Sequence, residues 1–278
     1  MEQPSVRDLL VNLLASLIWA IAGVVAYRFV FLPVMRARTA LSRLLPFDLR
    51  GKICICYGLL PPRPGTVYYT VAEGDLAAIN TADSTLAGTY GRSRVQTMSF
   101  YSTEVRLGEI DNLLSISGPK WNRVTEVLLG RLGSPMTFNQ TDGLVVQRPG
   151  SAPVEYHAVR RPDGDEQTCY GFVCGGVVLT PTGKEQNVVV CAGLNTLSTY
   201  GVVVFLTALR EQYSFRRYPG LSPRRIGKRW GIIIRVESVS NPNTSGPVRR
   251  PVDPDHIAIE VIDVLAEDDF SQPFVYRF

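Results

Sequence analysis

A layered α/β domain carried behind a single membrane-spanning helix is the fold class this sequence predicts, and three patterns predict it. An uncharged apolar run occupies Leu9 to Tyr27. Short apolar stretches then alternate with stretches of helical spacing, joined by glycine-containing turns. In the second half the short apolar stretches dominate, which adds a β-rich C-terminal elaboration to a mixed sheet.

The apolar run comes first. About 20 apolar residues at 1.5 Å rise cross a hydrocarbon core of roughly 30 Å. The polar interruptions here are Asn12 and Ser16, Phe29 to Leu32 prolong the run, and Pro33 ends it. A cleaved signal peptide has a basic start and a shorter core, whereas here Arg7 and Asp8 nearly cancel and the basic residues follow the core. A buried core helix seldom is apolar on every face over this length at the start of a soluble domain. The flanks set the orientation. Arg28, Arg36, Arg38, Arg43, Arg50 and Lys52 follow the run with only Asp48 opposing them. Positive charge stays inside, so the C-terminal part is expected in the cytoplasm of a single-pass inner-membrane protein. The expected organisation is an anchor over 1–34, a basic juxtamembrane linker over 35–51 and a cytoplasmic domain over 52–278. Met35 to Leu45 reads either as a helix lying on an anionic leaflet or as a solvated linker.

The domain opens with an apolar strand from Lys52 ending at Gly58, followed by a proline-rich loop. Leu76, Ile79, Ala82 and Leu86 keep helical spacing. Gln96 to Ser102 and Asn112 to Ser117 read as strands. A helix from Asn122 has an asparagine cap, Val124, Val127, Leu128 and Leu132 on one face, and Gly133 and Pro135 at its stop. Met136 to Asn139, Gly143 to Arg148 and Tyr170 to Leu179 are further strands. Val188 to Ala192 has the uniformly apolar character of a central parallel strand, and it leads through a polar segment into a helix from about Val202 to Arg210. Val188 to Leu209 is uncharged and competes as a second span, but Gly193, Asn195, Thr196, Ser198, Thr199 and Gly201 break its middle. Trp230 to Ser238 and His256 to Leu265 are the last strands.

Charge and cysteine usage narrow the function classes. The net charge of +4 is met by the juxtamembrane cluster and calls for no nucleic-acid partner. Arg216 to Arg229 is the one other dense basic stretch, readable as a solvated loop or as a contact for phosphates, headgroups or RNA. The five cysteines, Cys54, Cys56, Cys169, Cys174 and Cys191, lie in or beside apolar runs and fit reduced, buried thiols. With His157 and His256 the only histidines, no zinc site, other metal site or cofactor is expected.

In open α/β sheets ligands bind beyond the carboxyl ends of the strands. Three such ends are candidates: Gly58, with Glu73 and Asp75 at the next helix start; Ser117, Gly118, Lys120, Asn122 and Arg123; and Gly193, Asn195, Thr196, Ser198 and Thr199. Lys120 and Arg123 sit where the N–H groups of a helix start already favour an anion. Asn122 equally serves as a plain cap. Glu73 and Asp75 are candidate acid–base groups or partners for ribose hydroxyls, and equally ordinary dipole partners. No G-x-G-x-x-G fingerprint or P-loop is present.

The segments SISGPKWNRVTEVLLGRL, GLVVQR, CYGFVCGGVVL and NVVVCAGLNTLSTYGVVVFLTAL, in this order, resemble an uncharacterised family of bacterial Rossmann-like domains. In that family a strand enters a G-G-P-x-x-N-x-V-T loop and a later strand enters A-G-x-x-x-x-G-T. The resemblance spans about Lys52 to Arg210. Ser117 replaces the first glycine of the first loop, and Ser198 to Gly201 departs from the second pattern. A membrane helix on such a domain is similar, at the level of fold, to the SLOG and TIR-like nucleotide-sensing effectors of bacterial conflict systems. The strand-end loops with Lys120, Arg123, Asn195 and Thr196, together with the anchor, lead to the expectation of a membrane-anchored sensor or effector, and the resemblance adds a place in signalling or antiviral defence. Its domain would bind a small anionic, nucleotide-derived ligand, with the bilayer and a second copy of itself as partners. The alternatives are a tethered nucleotide N-glycoside hydrolase or transferase, and a non-catalytic scaffold.

Overall fold

A computed structural model describes residues 6–31, 47, 51–62, 64, 67–139, 143–160, 167–180, 183–207, 228–238 and 257–271. The chain begins with helix α1, Val6–Ala26, which continues into a wider turn over Tyr27–Phe31. Side chains from 13 to 29 are exposed on every side, Trp19 at 77% and Leu13 at 68%. Among the described residues no helix is long and apolar enough to cross a membrane. The expected linker helix over residues 35–45 lies outside the described residues.

The strands, in chain order, are β1 Ile53–Tyr57, β2 Val95–Ser99, β3 Asn112–Ile116, β4 Met136–Phe138, β5 Leu144–Val146, β6 Val154–Tyr156, β7 Val159–Arg160, β8 Gln167–Leu179, β9 Glu185–Gly193, β10 Trp230–Ser238 and β11 Ile257–Leu265. Eight of them form one mixed sheet in the order β11-β10-β8-β9-β3-β1-β2, with β7 paired to β8. The β2, β1, β3 and β9 strands are parallel, while β8, β10 and β11 continue antiparallel from β9. A second sheet, β4-β5-β6, is small and antiparallel. The uniformly apolar Val188–Ala192 stretch does occupy the middle of the large sheet, parallel to one neighbour and antiparallel to the other.

Alternation along the strands makes two cores. Ile53, Ile55, Leu114, Ile116, Val189 and Cys191 face one side, where α2 (Glu73–Tyr90) and α5 (Thr196–Thr207) cover them. Cys54, Cys56, Leu113, Val188, Val190 and Ala192 face the other side, under α4 (Arg123–Leu132) and the small sheet. Each aliphatic side chain buried this way contributes about 1.5–3 kcal/mol. Gly201 lets α5 lie directly on β10, because a Cβ there would stand 2.5 Å from the Val236 side chain.

Two expected elements take different bounds. The strand expected to reach Ser102 stops at Ser99, and α3 (Phe100–Arg106) follows, with the Thr103 hydroxyl donating to the Ser99 carbonyl at 3.0 Å. β2 is the sheet edge, so one side of the strand has no ladder to hold it extended. The last helix starts at Thr196 rather than near Val202, because its serine and threonine residues bond locally. Ser198 N donates to Asn195 Oδ1 at 2.9 Å, and the Ser198 and Thr199 hydroxyls donate to the Asn195 carbonyl at 3.0 and 3.2 Å. Residues 187–207 are thus strand, turn and helix, and residues from 208 lie outside the description. Of the Arg216–Arg229 stretch only Lys228 and Arg229 are described. Arg229 is held within the fold by Glu267 at 2.6 Å and by the Leu132 and Ser271 carbonyls at 3.1 and 2.6 Å.

Candidate functional site

The carboxyl ends of β3 and β9 open into a cavity of about 470 Å³, inside the range of roughly 300–1,000 Å³ usual for small-molecule sites. Three helices bring their first turns to it: Asp75 from α2, Glu126 from α4, and Thr196 and Thr199 from α5. The loop from Gly118 to Trp121 forms one wall, and Gly193, Leu194 and Asn195 form another. Phe138 and Asn139, at the end of β4, close it from the small sheet. Asn139 is braced by accepting the Gly143 N–H at 2.6 Å.

The loop after β3 has an internal scaffold. Asn122 is fully buried and caps α4, accepting from Val124 N at 3.1 Å and Thr125 N at 3.4 Å. Its amide donates to the Ile116 carbonyl at 2.8 Å and to Ser115 Oγ at 3.0 Å. Every polar atom of Asn122 is therefore committed to the loop, and the residue shapes the cavity without lining it. Gly58 acts in the same way: a Cβ there would stand 2.7 Å from the Trp121 carbonyl, which the neighbouring Leu59 N–H reaches at 3.1 Å.

Ser117 is the one non-glycine residue with positive φ among the described residues, at 91°. Such a conformation costs on the order of 1–3 kcal/mol. Its N–H donates to the Cys191 carbonyl at 3.1 Å, and its own carbonyl accepts from Thr125 Oγ1 at 2.9 Å. Held there, Ser117 donates its hydroxyl to Asp75 Oδ2 at 2.7 Å. Asp75 is only 6% exposed, and its second oxygen, Oδ1, has no hydrogen-bond partner among the described residues. Burial raises its pKa, and the Ser117 hydroxyl opposes the rise in part. Gly74 makes this placement possible by letting the start of α2 touch α5: a Cβ at Gly74 would stand 2.7 Å from the Thr196 carbonyl.

Of the candidates read from the sequence, Asp75, Gly118, Lys120, Gly193, Asn195, Thr196 and Thr199 line the cavity. Lys120 is exposed at its rim, with Nζ 5.5 Å from the centre of the Trp121 ring. Ser117 and Ser198 are buried behind it, Ser198 with its hydroxyl on Asn195. Glu73 and Arg123 are exposed and line no part of it. Of the two cations expected to meet at the start of α4, Lys120 lines the cavity and Arg123 does not. Trp121, Glu126, Phe138 and Asn139 escaped the sequence reading. The only local sign of them was Trp121 inside the loop, since β4 reaches the site through tertiary packing. Among the described residues no three His, Cys, Asp or Glu side chains group to hold a metal ion. No family model, curated protein or solved structure matches this chain.

Proposed function

We propose that this chain is a membrane-tethered sensor whose cytoplasmic, Rossmann-like domain binds a small anionic, nucleotide-derived ligand in the cavity between β3, β9 and their helices. One observation carries the reading: three helix starts meet at a single cavity that has Lys120 at its rim. A helix start carries partial positive charge that favours phosphate. Because Asn122 and Asn195 already accept the N–H groups of Val124, Thr125 and Ser198, the attraction here rests on that charge and on Lys120. The anchor is supported by the uncharged run from Leu9 to Tyr27, the exposure of residues 13–29 and the arginines that follow. Ligand binding shifts the population of domain or homo-oligomer states, and the anchor carries that shift to the bilayer.

The test is thermal melting of the full chain in detergent with a panel of mononucleotides, dinucleotides and cyclic dinucleotides. The expected result is stabilisation by at least one of them. A charge-assisted hydrogen bond contributes about 1.5–3 kcal/mol, so Lys120→Glu should weaken that ligand at least tenfold. Arg123→Glu, outside the cavity, should leave it unchanged. No stabilisation by any member of the panel removes the proposal.

A second reading has its own observation, two carboxylates in one cavity. Asp75, kept toward its protonated form by burial, would serve as general acid in hydrolysis or transfer at a nucleotide N-glycosidic bond, with Glu126 as the second carboxylate of the same cavity. Glu73 lies outside the cavity and has no part in this reading. Equal turnover of nicotinamide and purine nucleotides by wild type and Asp75→Asn would exclude it.

A further inference from the structure

We infer that the ligand of this cavity is a ribonucleotide that donates a sugar hydroxyl to Asp75 Oδ1, an inference resting on the nucleotide reading above. Asp75 is more than nine-tenths buried, lines the cavity, and has one oxygen without a partner among the described residues. A buried acceptor left unpaired is costly, and native folds retain one chiefly where something else completes it. The fold spends further strain on the same group. Ser117 adopts a positive φ that a serine seldom takes, and the result is a hydroxyl fixed on Oδ2. With Oδ2 occupied, Oδ1 is the oxygen left for a ligand; it is closed to solvent in the unliganded fold, so a hydroxyl reaches it once the cavity lining shifts to admit the ligand.

The rest of the lining narrows the chemistry. Among the described lining residues Asp75 and Glu126 set two carboxylates against one cation, Lys120, so inorganic phosphate or another compact polyanion meets repulsion in this cavity. A ligand that carries both an anionic group and hydroxyl donors satisfies the helix starts and the carboxylate together. Trp121, which lies beside Lys120, and Phe138 supply flat apolar surface for a base. A nucleoside monophosphate with its ribose toward Asp75 and its phosphate toward Lys120 and the start of α5 combines these features.

The full chain in detergent is titrated by calorimetry with AMP, GMP, CMP and UMP, with their 2′-deoxy and 3′-deoxy forms, and with inorganic phosphate. At least one ribonucleotide should bind, one of its deoxy forms should bind ten or more times more weakly, and phosphate alone should not bind. Asp75→Asn places an N–H₂ where the acceptor was and should abolish the preference for the ribose. Ser117→Gly keeps the backbone conformation, removes the orienting hydroxyl and should reduce the preference. Equal binding of ribose and both deoxy forms overturns the inference while leaving the nucleotide reading standing. Survival of the preference in Asp75→Asn does the same. Binding of inorganic phosphate alone overturns the inference, and binding of nothing overturns both.

Discussion

Asp75 carries opposing demands in one side chain. A buried carboxylate prefers its proton, so its folded pKa lies above its unfolded value. The sign follows from linkage. A group with a raised folded pKa favours the fold fully below its unfolded pKa and loses that contribution as pH rises through the folded value. At neutral pH, therefore, Asp75 works against the unliganded fold. Asp75→Asn should melt at a higher temperature than wild type at pH 7, with the gap narrowing as pH falls toward about 4. Melts across that range check it, and a mutant less stable at pH 7 would mean that the ionised carboxylate is paired and stabilising. Stability gained with loss of ligand recognition is the trade expected of a binding group.

At the scale of elements, the loop from Ser117 to Asn122 and helix α4 behave as one unit. Asn122 joins them by accepting two helix N–H groups and donating to Ser115 and Ile116 of β3. Loss of a cap costs about 1 kcal/mol, and each buried group left unsatisfied adds about 1–3 kcal/mol. Asn122→Ala should therefore destabilise the protein by on the order of 3 kcal/mol, measured by denaturant unfolding. A loss no larger than about 0.5 kcal/mol, the usual effect of a surface change, would show that the cap is dispensable. The opposite end of α4 closes with Gly133 in the left-handed conformation, φ 63°, and both ends were readable because caps are local chemistry. The start of α5 was not. Thr196, Ser198 and Thr199 looked like breakers of an apolar run, yet the Ser198 and Thr199 hydroxyls bond within the turn and let the helix begin there.

For the whole molecule, the two faces of the sheet bury all five cysteines as free thiols. Burial pushes Cys54 to about 11 and Cys56 to about 12, from an ordinary value of 9.0, and raises Cys174 and Cys191 as well. A thiol with a raised folded pKa stabilises the fold below its unfolded pKa, and that contribution fades as pH rises through the folded value. Stability should therefore fall from about pH 9 toward pH 12. At pH 8 a maleimide should label none of the five in the native protein and all five in denaturant, because the reactive form is the exposed thiolate. Labelling of a cysteine under native conditions, read by mass spectrometry, would show that one face of the sheet opens.

Much of this architecture was legible without coordinates. Short apolar runs marked β1, β3, β9, β10 and β11, helical spacing marked α2, and the asparagine and glycine caps marked α4, because each signal is contained within a few neighbouring residues. The short strands β6 and β7 left no such signal, since their exposed or edge positions impose no apolar period. The candidate site divides the same way. Sequence alone determined that Gly118, Lys120, Asn195 and Thr196 stand at strand ends beside helix starts. Only the tertiary structure decided that Asp75 enters the same cavity from α2, that Phe138 and Asn139 close it from the second sheet, and that Arg123 stays outside. A cap is settled by bonds between residues close in the chain and a strand announces itself by its own apolar residues, whereas a cavity is settled by which elements pack together, and Ser117 and Asp75 meet across 42 positions of chain.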